Sequence, residues 1–313
     1  MTDASFVISL DCEGKWGMAD HIGPNHDAVL TTSNLEIAYR RILALFARYE
    51  IPATFAFVMA FTLSPSEWRK FDDLFKDVEL ENGNWLHHFR RQLANGNHDG
   101  WFAPGTLQMV QEAELHEIGC HGFSHLPIGD SGVDTETANG ELRSAGIVAK
   151  AKGISLQTFI YPRGLIAHTD ALISNGYVGY RESLYPRGGL SRQIGALGEL
   201  YPYGVSQSHT IANDTLQPIP SGYFLNWRSG LRRLVPPALT VSRWRNIVDH
   251  AIRTESVAHL WLHPHNILTG PGTFETLEDI LKYVAKRRDQ GKIQVVTQLE
   301  YCKRQRRKSS KGS

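Results

Sequence analysis

Cysteine is scarce in this chain of 313 residues, and the three present, Cys12, Cys120 and Cys302, lie far apart. They are too few and too scattered for a disulfide framework or a Cys-x-x-Cys zinc knuckle, which fits a reducing compartment. Long apolar runs are also missing: no stretch of about 18 apolar residues suggests a membrane span. Neither sign of charge is in excess, since 33 lysines and arginines face 32 aspartates and glutamates. General affinity for nucleic acid is therefore not expected, and partners must be argued locally. The opening MTDASFVISL lacks both a basic leader and a long apolar segment and enters a strand at once, which reads as a cytoplasmic protein. There is no internal repeat beyond an alternation of strands and helices.

With 42% hydrophobic residues, the chain can bury a large core. Ser33 and Glu36 form a capping-box pattern that opens a helix to about Tyr49, and Pro52 stops it before the strand ATFAFVM. Ser64-Pro65-Ser66-Glu67 repeats the start signal and predicts a helix to about Phe75. Further strands are expected at 116–120, 157–161, 177–180, 216–220, 257–262 and 293–297, with helical patterns ending in Gly153, Gly176 or Gly291. Seven or eight strand–helix repeats predict a single α/β domain, a distorted (β/α) barrel over residues 1–301. Residues 81–105 and 192–245 break the rhythm and are expected as excursions over one rim. Residues 302–313, KRQRRKSSKGS with its neighbour, read as a basic disordered tail able to lean weakly on an anionic lipid surface.

The chemistry gathers where strands end. FVISL runs into the acidic turn of Asp11 and Glu13, EIGC runs into His121 and His125, and HLWL runs into His263-Pro264-His265-Asn266. Two histidines four apart share one face of a helical turn and can converge on a divalent ion. One carboxylate of the Asp11/Glu13 pair can then ligate the ion while the other accepts a proton from water. Cys12 between them should face the opposite side, although a thiolate ligand stays open. Pro264 forces a turn-like path, so one histidine of the HPH run reaches the site; His263, completing the strand, suits proton donation to a leaving group. The strand Phe159–Tyr161 ends in Pro162-Arg163-Gly164, a turn whose backbone N–H groups can hold an oxyanion and whose arginine can pair with a carboxylate or a sugar hydroxyl. Among the tryptophans, Trp101 and Trp16 are the candidates to stack on a sugar ring. Read blandly, these features are turn formers, surface histidines and core aromatics.

In this chain order the segments resemble the polysaccharide deacetylase family, the NodB-homology carbohydrate esterases, from about Phe6 to Tyr301. SLDCEG looks like a spaced variant of the first motif, which implies Asp11 as base and Glu13 as metal-binding acid. EIGCHGFSH resembles the second motif and implies His121 and His125 as ligands. FIYPRG is similar to the third, implying an oxyanion donor in the backbone N–H after Tyr161 and an arginine that steadies the base, with Arg163 later than that arginine usually sits. LWLHPHN resembles the last motif and implies His263 as general acid. The resemblance implies a NodB-type barrel and a divalent cofactor, zinc first, with cobalt, nickel, manganese and iron open. It implies N-deacetylation of an amino sugar, free, lipid-linked or nucleotide-linked, in surface-glycan assembly such as O-antigen or capsule, in the cytoplasm or at the inner membrane surface. A deformylase or other small-acyl amidase of the same fold, and a binding relative without turnover, stay open.

Overall fold

All eight residues of the first strand, β1 (Ser5–Cys12), are buried, and alternation divides them between two environments. Phe6, Ile8, Leu10 and Cys12 join the large core that the outer helices cover, whereas Val7 belongs to a second cluster with Ile219, Val257, Val296, Tyr301 and Cys302. A strand apolar on one face and mixed on the other suits the wall of a barrel. The computed structural model describes residues 2–183, 216–225 and 230–312.

The remaining strands are β2 (Thr54–Phe57), β3 (Glu79–Leu80), β4 (Gly83–Asn84), β5 (Glu117–Cys120), β6 (Thr158–Ile160), β7 (Gly179–Arg181), β8 (Gln217–Ile219), β9 (Tyr223–Phe224), β10 (Val257–Leu262) and β11 (Gln294–Val296). β3 and β4 form a separate antiparallel pair. The main sheet is parallel, in the order β8-β7-β6-β5-β2-β1-β10-β9. β1 pairs with β10 from Ser5 to Leu10; its other edge is shared, with β11 along Ser5–Val7 and β2 along Ser9–Cys12. Two facts require this sheet to curl. Its end strands, β8 and β9, are joined by Pro220–Gly222 alone, and Arg181 on β7 bonds to Asp11 on β1 although three strands lie between them in the order. The expected distorted barrel in a single α/β domain is the fold observed, with the Val7 cluster as its apolar floor.

Local signals account for the outer layer. The helix Thr32–Tyr49 starts slightly before the predicted Ser33, because the Thr31 hydroxyl accepts from Asn34 N at 3.1 Å; it ends at Tyr49, with Glu50 left-handed ahead of Pro52. Ser64 and Glu67 make the reciprocal capping bonds expected of them, yet the segment they open is the 3-10 helix Trp68–Leu74. Residues 81–105 hold β4, the helix His87–Ala94 and loops. Of the expected excursion 192–245, residues 192–215 and 226–229 lie outside the described residues; its described part holds β8, β9 and the start of the helix Pro237–Thr254. β9 has no counterpart in the sequence reading.

The expected disordered tail is instead the end of a helix, Gln298–Gly312. Its start is anchored by buried Tyr301 and Cys302 and by Thr297 and Glu300, whose side chains accept from each other's backbone N–H at 3.2 and 3.0 Å. Lys308 adds an ion pair to Asp3. Among the described residues no helix is long and apolar enough to cross a membrane.

Gly222 closes the curl under tight restraint. Its φ is 66°, and a Cβ there would meet the His259 carbonyl oxygen at 2.2 Å and the His259 Cβ at 2.6 Å. Gly222→Ala should cost about 2–5 kcal/mol, from left-handed strain plus overpacking. Gly153→Ala, with φ 71° and open space around it, should cost only the strain. Urea midpoints of the two variants measure the difference.

Candidate functional site

Strand alternation that sends Val7 into the barrel sends Ser9 and Asp11 after it, with Glu13 just beyond the strand. Asp11 and Glu13 are both buried, which is costly for carboxylates unless each charge is met. They are met differently. Burial pushes the Asp11 pKa up, but the Arg181 guanidinium, with help from His121 and His263, brings it below the ordinary carboxylate value. Arg181 donates to both Asp11 oxygens at 2.7 Å, a bidentate clamp, and to Ser9 Oγ at 3.1 Å. Its guanidinium lies 4.6 Å over the Trp261 ring. Glu13 faces imidazoles: Oε2 is 3.0 Å from His125 Nε2 and 3.4 Å from His121 Nε2, and Oε1 is 3.4 Å from His263 Nε2. Burial works against its charge, yet His263 and His125 hold it well below the usual range.

His121 and His125 do not meet on a helix, contrary to the sequence expectation. The chain turns at Gly122 (φ 87°), and His125 itself is left-handed (φ 60°), which brings the two Nε2 atoms to 3.1 Å. Buried Glu141, from the helix Thr135–Ala151, holds this loop. It accepts from the backbone N–H of Phe123, Ser124 and Leu126 at 2.9, 2.6 and 3.3 Å, and from the Ser124 hydroxyl. Trp85 Nε1 donates to Ser124 O at 2.9 Å, and the ring stacks on His125 at 6.3 Å.

These donors fit a divalent cation. His121 Nδ1 donates to Ile160 O at 2.8 Å, so its Nε2 presents a lone pair. That atom faces His125 Nε2 and a carboxylate oxygen, a set of acceptors that repel unless a cation or proton lies among them; His125 Nδ1 is buried without a hydrogen-bond partner. Ligand atoms of Glu13, His121 and His125 lie within 4.8 Å of one another, and so do those of Glu13, His263 and His265. Imidazole and carboxylate together suit zinc and its neighbours in the first transition series. On the far side, His263 Nδ1 meets Asn266 Oδ1 at 3.2 Å, which aims Nε2 at Glu13. His265 stacks on His263 at 5.2 Å, and burial pulls its pKa down to about 3.

Three of the sequence-derived placements need correction. Trp101 and Trp16 are fully buried and pack edge to face at 4.9 Å, their indole N–H groups bonded to Gln92 Oε1 and Trp101 O, so neither can stack on a sugar. Arg163 is left-handed (φ 59°), pairs with Asp20 and lies 5.0 Å over Trp85; the arginine on Asp11 is Arg181. The residue after Tyr161 is Pro162, which has no N–H, and the Tyr161 hydroxyl is committed to Ala167 O at 2.8 Å. Cys12 faces the outer core, on the side expected of it and away from Asp11 and Glu13, and burial raises its thiol well above the ordinary value. The sequence reading missed Arg181, Glu141, Ser9 and His259. Arg181 at the end of an apolar strand and His259 inside one, in step with His263, were the available signals.

Residues 30–181 match the family model for polysaccharide deacetylase. The match spans just under half of the chain, including His121, His125 and Arg181 but neither the acidic turn nor the HPHN run. No curated protein matches in sequence. Solved structures share the fold over nearly the whole chain. A Mycobacterium smegmatis protein that carries the name polysaccharide deacetylase superposes with a TM-score of 0.63 at 15% identity, covering 98% of this chain and 92% of its own. A Pseudomonas aeruginosa PAO1 protein of the same name gives 0.57 at 12%, covering 96% and 90%. Puue allantoinase gives 0.55 at 11%, with the same coverage. At these identities the likeness is one of fold.

Two measurements test the site. Zinc added to chelator-treated protein should raise the unfolding temperature, by the equivalent of about 2.7 kcal/mol at a hundredfold excess over Kd, and His121→Ala should abolish the rise. Burial raises the Glu141 pKa, against the hydrogen bonds it accepts from Ser124, Leu126 and Phe123. Glu141→Gln, which keeps an acceptor oxygen for the backbone N–H groups, should leave stability near wild type, whereas Glu141→Ala should lose about 2–4 kcal/mol and weaken zinc binding by orphaning buried N–H groups. Calorimetry and zinc titration read both.

Proposed function

We propose that the chain is a metal-dependent hydrolase of the polysaccharide deacetylase family that removes an N-acetyl group from an amino sugar. The observation that carries the reading is the divided pair of carboxylates: Asp11 clamped by Arg181, Glu13 facing His121 and His125. The family match over residues 30–181 supports the same chemistry. Glu13, His121 and His125 would hold the ion, zinc by preference of the donor set, and when bound it supplies a Lewis acid for the acyl oxygen.

The chain's own residues do the rest. Asp11, kept ionised by Arg181, accepts the proton of the attacking water. His263 is aimed by Asn266 and lies beside Glu13; it donates a proton to the departing amine. Because Pro162 has no N–H, the backbone donor for the oxyanion comes from Tyr161 or Arg163. Acetate and a free amino sugar result. A deformylase acting on a formamido sugar uses the same groups, and the substrate class extends to lipid-linked and nucleotide-linked sugars of surface-glycan assembly. Lys303, Arg304, Arg306, Arg307 and Lys308 on the last helix make weak contact with an anionic membrane surface part of the same proposal.

The test is a product screen for acetate and formate across N-acylated sugars, free and nucleotide-linked, with and without chelator. Asp11→Asn and His263→Ala should each fold, bind zinc and lose at least about 100-fold in kcat. Turnover that survives both substitutions, or that is indifferent to chelator, would reject the reading. Bound metal with no release from any sugar would favour the binding relative.

A further inference from the structure

Beneath Asp11 and Arg181 lies a buried histidine that the proposed reaction does not use. His259 is on β10, on the same face as Trp261 and His263, and only 1% of its surface is exposed. Its Nδ1 is 2.6 Å from Pro220 O and its Nε2 is 2.9 Å from Ser9 Oγ. Burial pulls its pKa down to about 3, so the ring is neutral. The hydrogen bonds then have one direction. A carbonyl oxygen only accepts, so Nδ1 carries the hydrogen and donates to Pro220 O. Nε2, left with a lone pair, accepts from the Ser9 hydroxyl, and Ser9 Oγ accepts in turn from Arg181 Nη1 at 3.1 Å.

We propose that Ser9 and His259 are positioning residues for the base: they fix the Arg181 guanidinium in the one orientation that grips both oxygens of Asp11. This rests on the assignment of Asp11 as base. An arginine can meet a carboxylate in several rotations, and a third fixed acceptor at Nη1 selects among them. The Trp261 ring, 4.6 Å away, limits the remaining freedom from one side. The loop Pro220–Gly222 therefore does more than join the two ends of the sheet. Its carbonyl sets the tautomer that makes Ser9 a donor to His259 and an acceptor from Arg181. Gly222, against His259, allows the approach.

Ser9→Ala removes the link. His259→Asn keeps a donor for Pro220 O and removes the acceptor for Ser9, which separates loop closure from positioning. Each variant should retain its fold by circular dichroism and bind zinc as wild type does, while kcat for acetate or formate release falls about 10- to 100-fold at unchanged KM. The double variant should lose no more than either single one, because both break one chain. A second readout needs no turnover: the Arg181 Nη–H resonances, resolved by hindered rotation in the wild type, should merge in both variants. Resonances that stay resolved in both variants, or kcat losses that multiply in the double variant, would overturn the proposal. Failure of every sugar to react would count against the proposed function and leave the resonance test to decide this one.

Discussion

Two buried carboxylates two residues apart, Asp11 near the end of β1 and Glu13 just beyond it, are the constraint on which the rest of the site depends. Desolvation disfavours both charges, and side by side they repel each other. The fold answers with separate partners. Asp11 receives a guanidinium from across the barrel, which bonds to both oxygens. Glu13 receives imidazoles from two strand ends, whose nitrogens are lone-pair donors as readily as proton donors. Two acids of similar intrinsic pKa thus acquire different surroundings, one clamped by a guanidinium and one facing imidazoles.

Curling the sheet is what makes this division possible. In an open sheet, Arg181 and Asp11 would lie on strands with three others between them, beyond reach of a side chain. Closure through Pro220–Gly222 brings β7 opposite β1, and the apolar floor of Val7, Ile219, Val257, Val296, Tyr301 and Cys302 packs below them. Above that floor, Ser9 and His259 form a fully hydrogen-bonded polar layer, and the charged groups come next. Polarity rises from floor to rim, so each charge is desolvated only as far as its partners can compensate.

Much of this was legible in the sequence, and what was missed shares one physical cause. The eight main strand positions and the clustering of Asp11, Glu13, His121, His125 and His263 at strand ends come from local pattern, because period-two burial and turn chemistry are written within a few residues. The conformation of the HGFSH loop was not legible, since a four-residue histidine spacing reads as a helical turn. Only a distant acceptor, Glu141, makes the irregular path tolerable for three buried N–H groups. Arg163 and Trp101 were misplaced for a related reason. Sequence proximity put an arginine near the base and an aromatic near the rim, whereas barrel closure supplied Arg181 from β7 and the interior absorbed Trp101 into an aromatic cluster with Trp16 and Phe89. Side chains whose partners are far along the chain carry no local signature.

The same distinction bears on function. A histidine pair and an acid identify a place for a cation, and many folds can present one. What makes hydrolysis more specific than binding is the second carboxylate, held ionised within 4.0 Å of His121 Nε2 yet bonded to Arg181 through both oxygens. A binding site for a cation gains little from a second buried acid that it does not ligate, and such an acid burdens the fold with desolvation. A charged, clamped Asp11 beside His121 is the group that the proposed hydrolysis, unlike cation binding, would use.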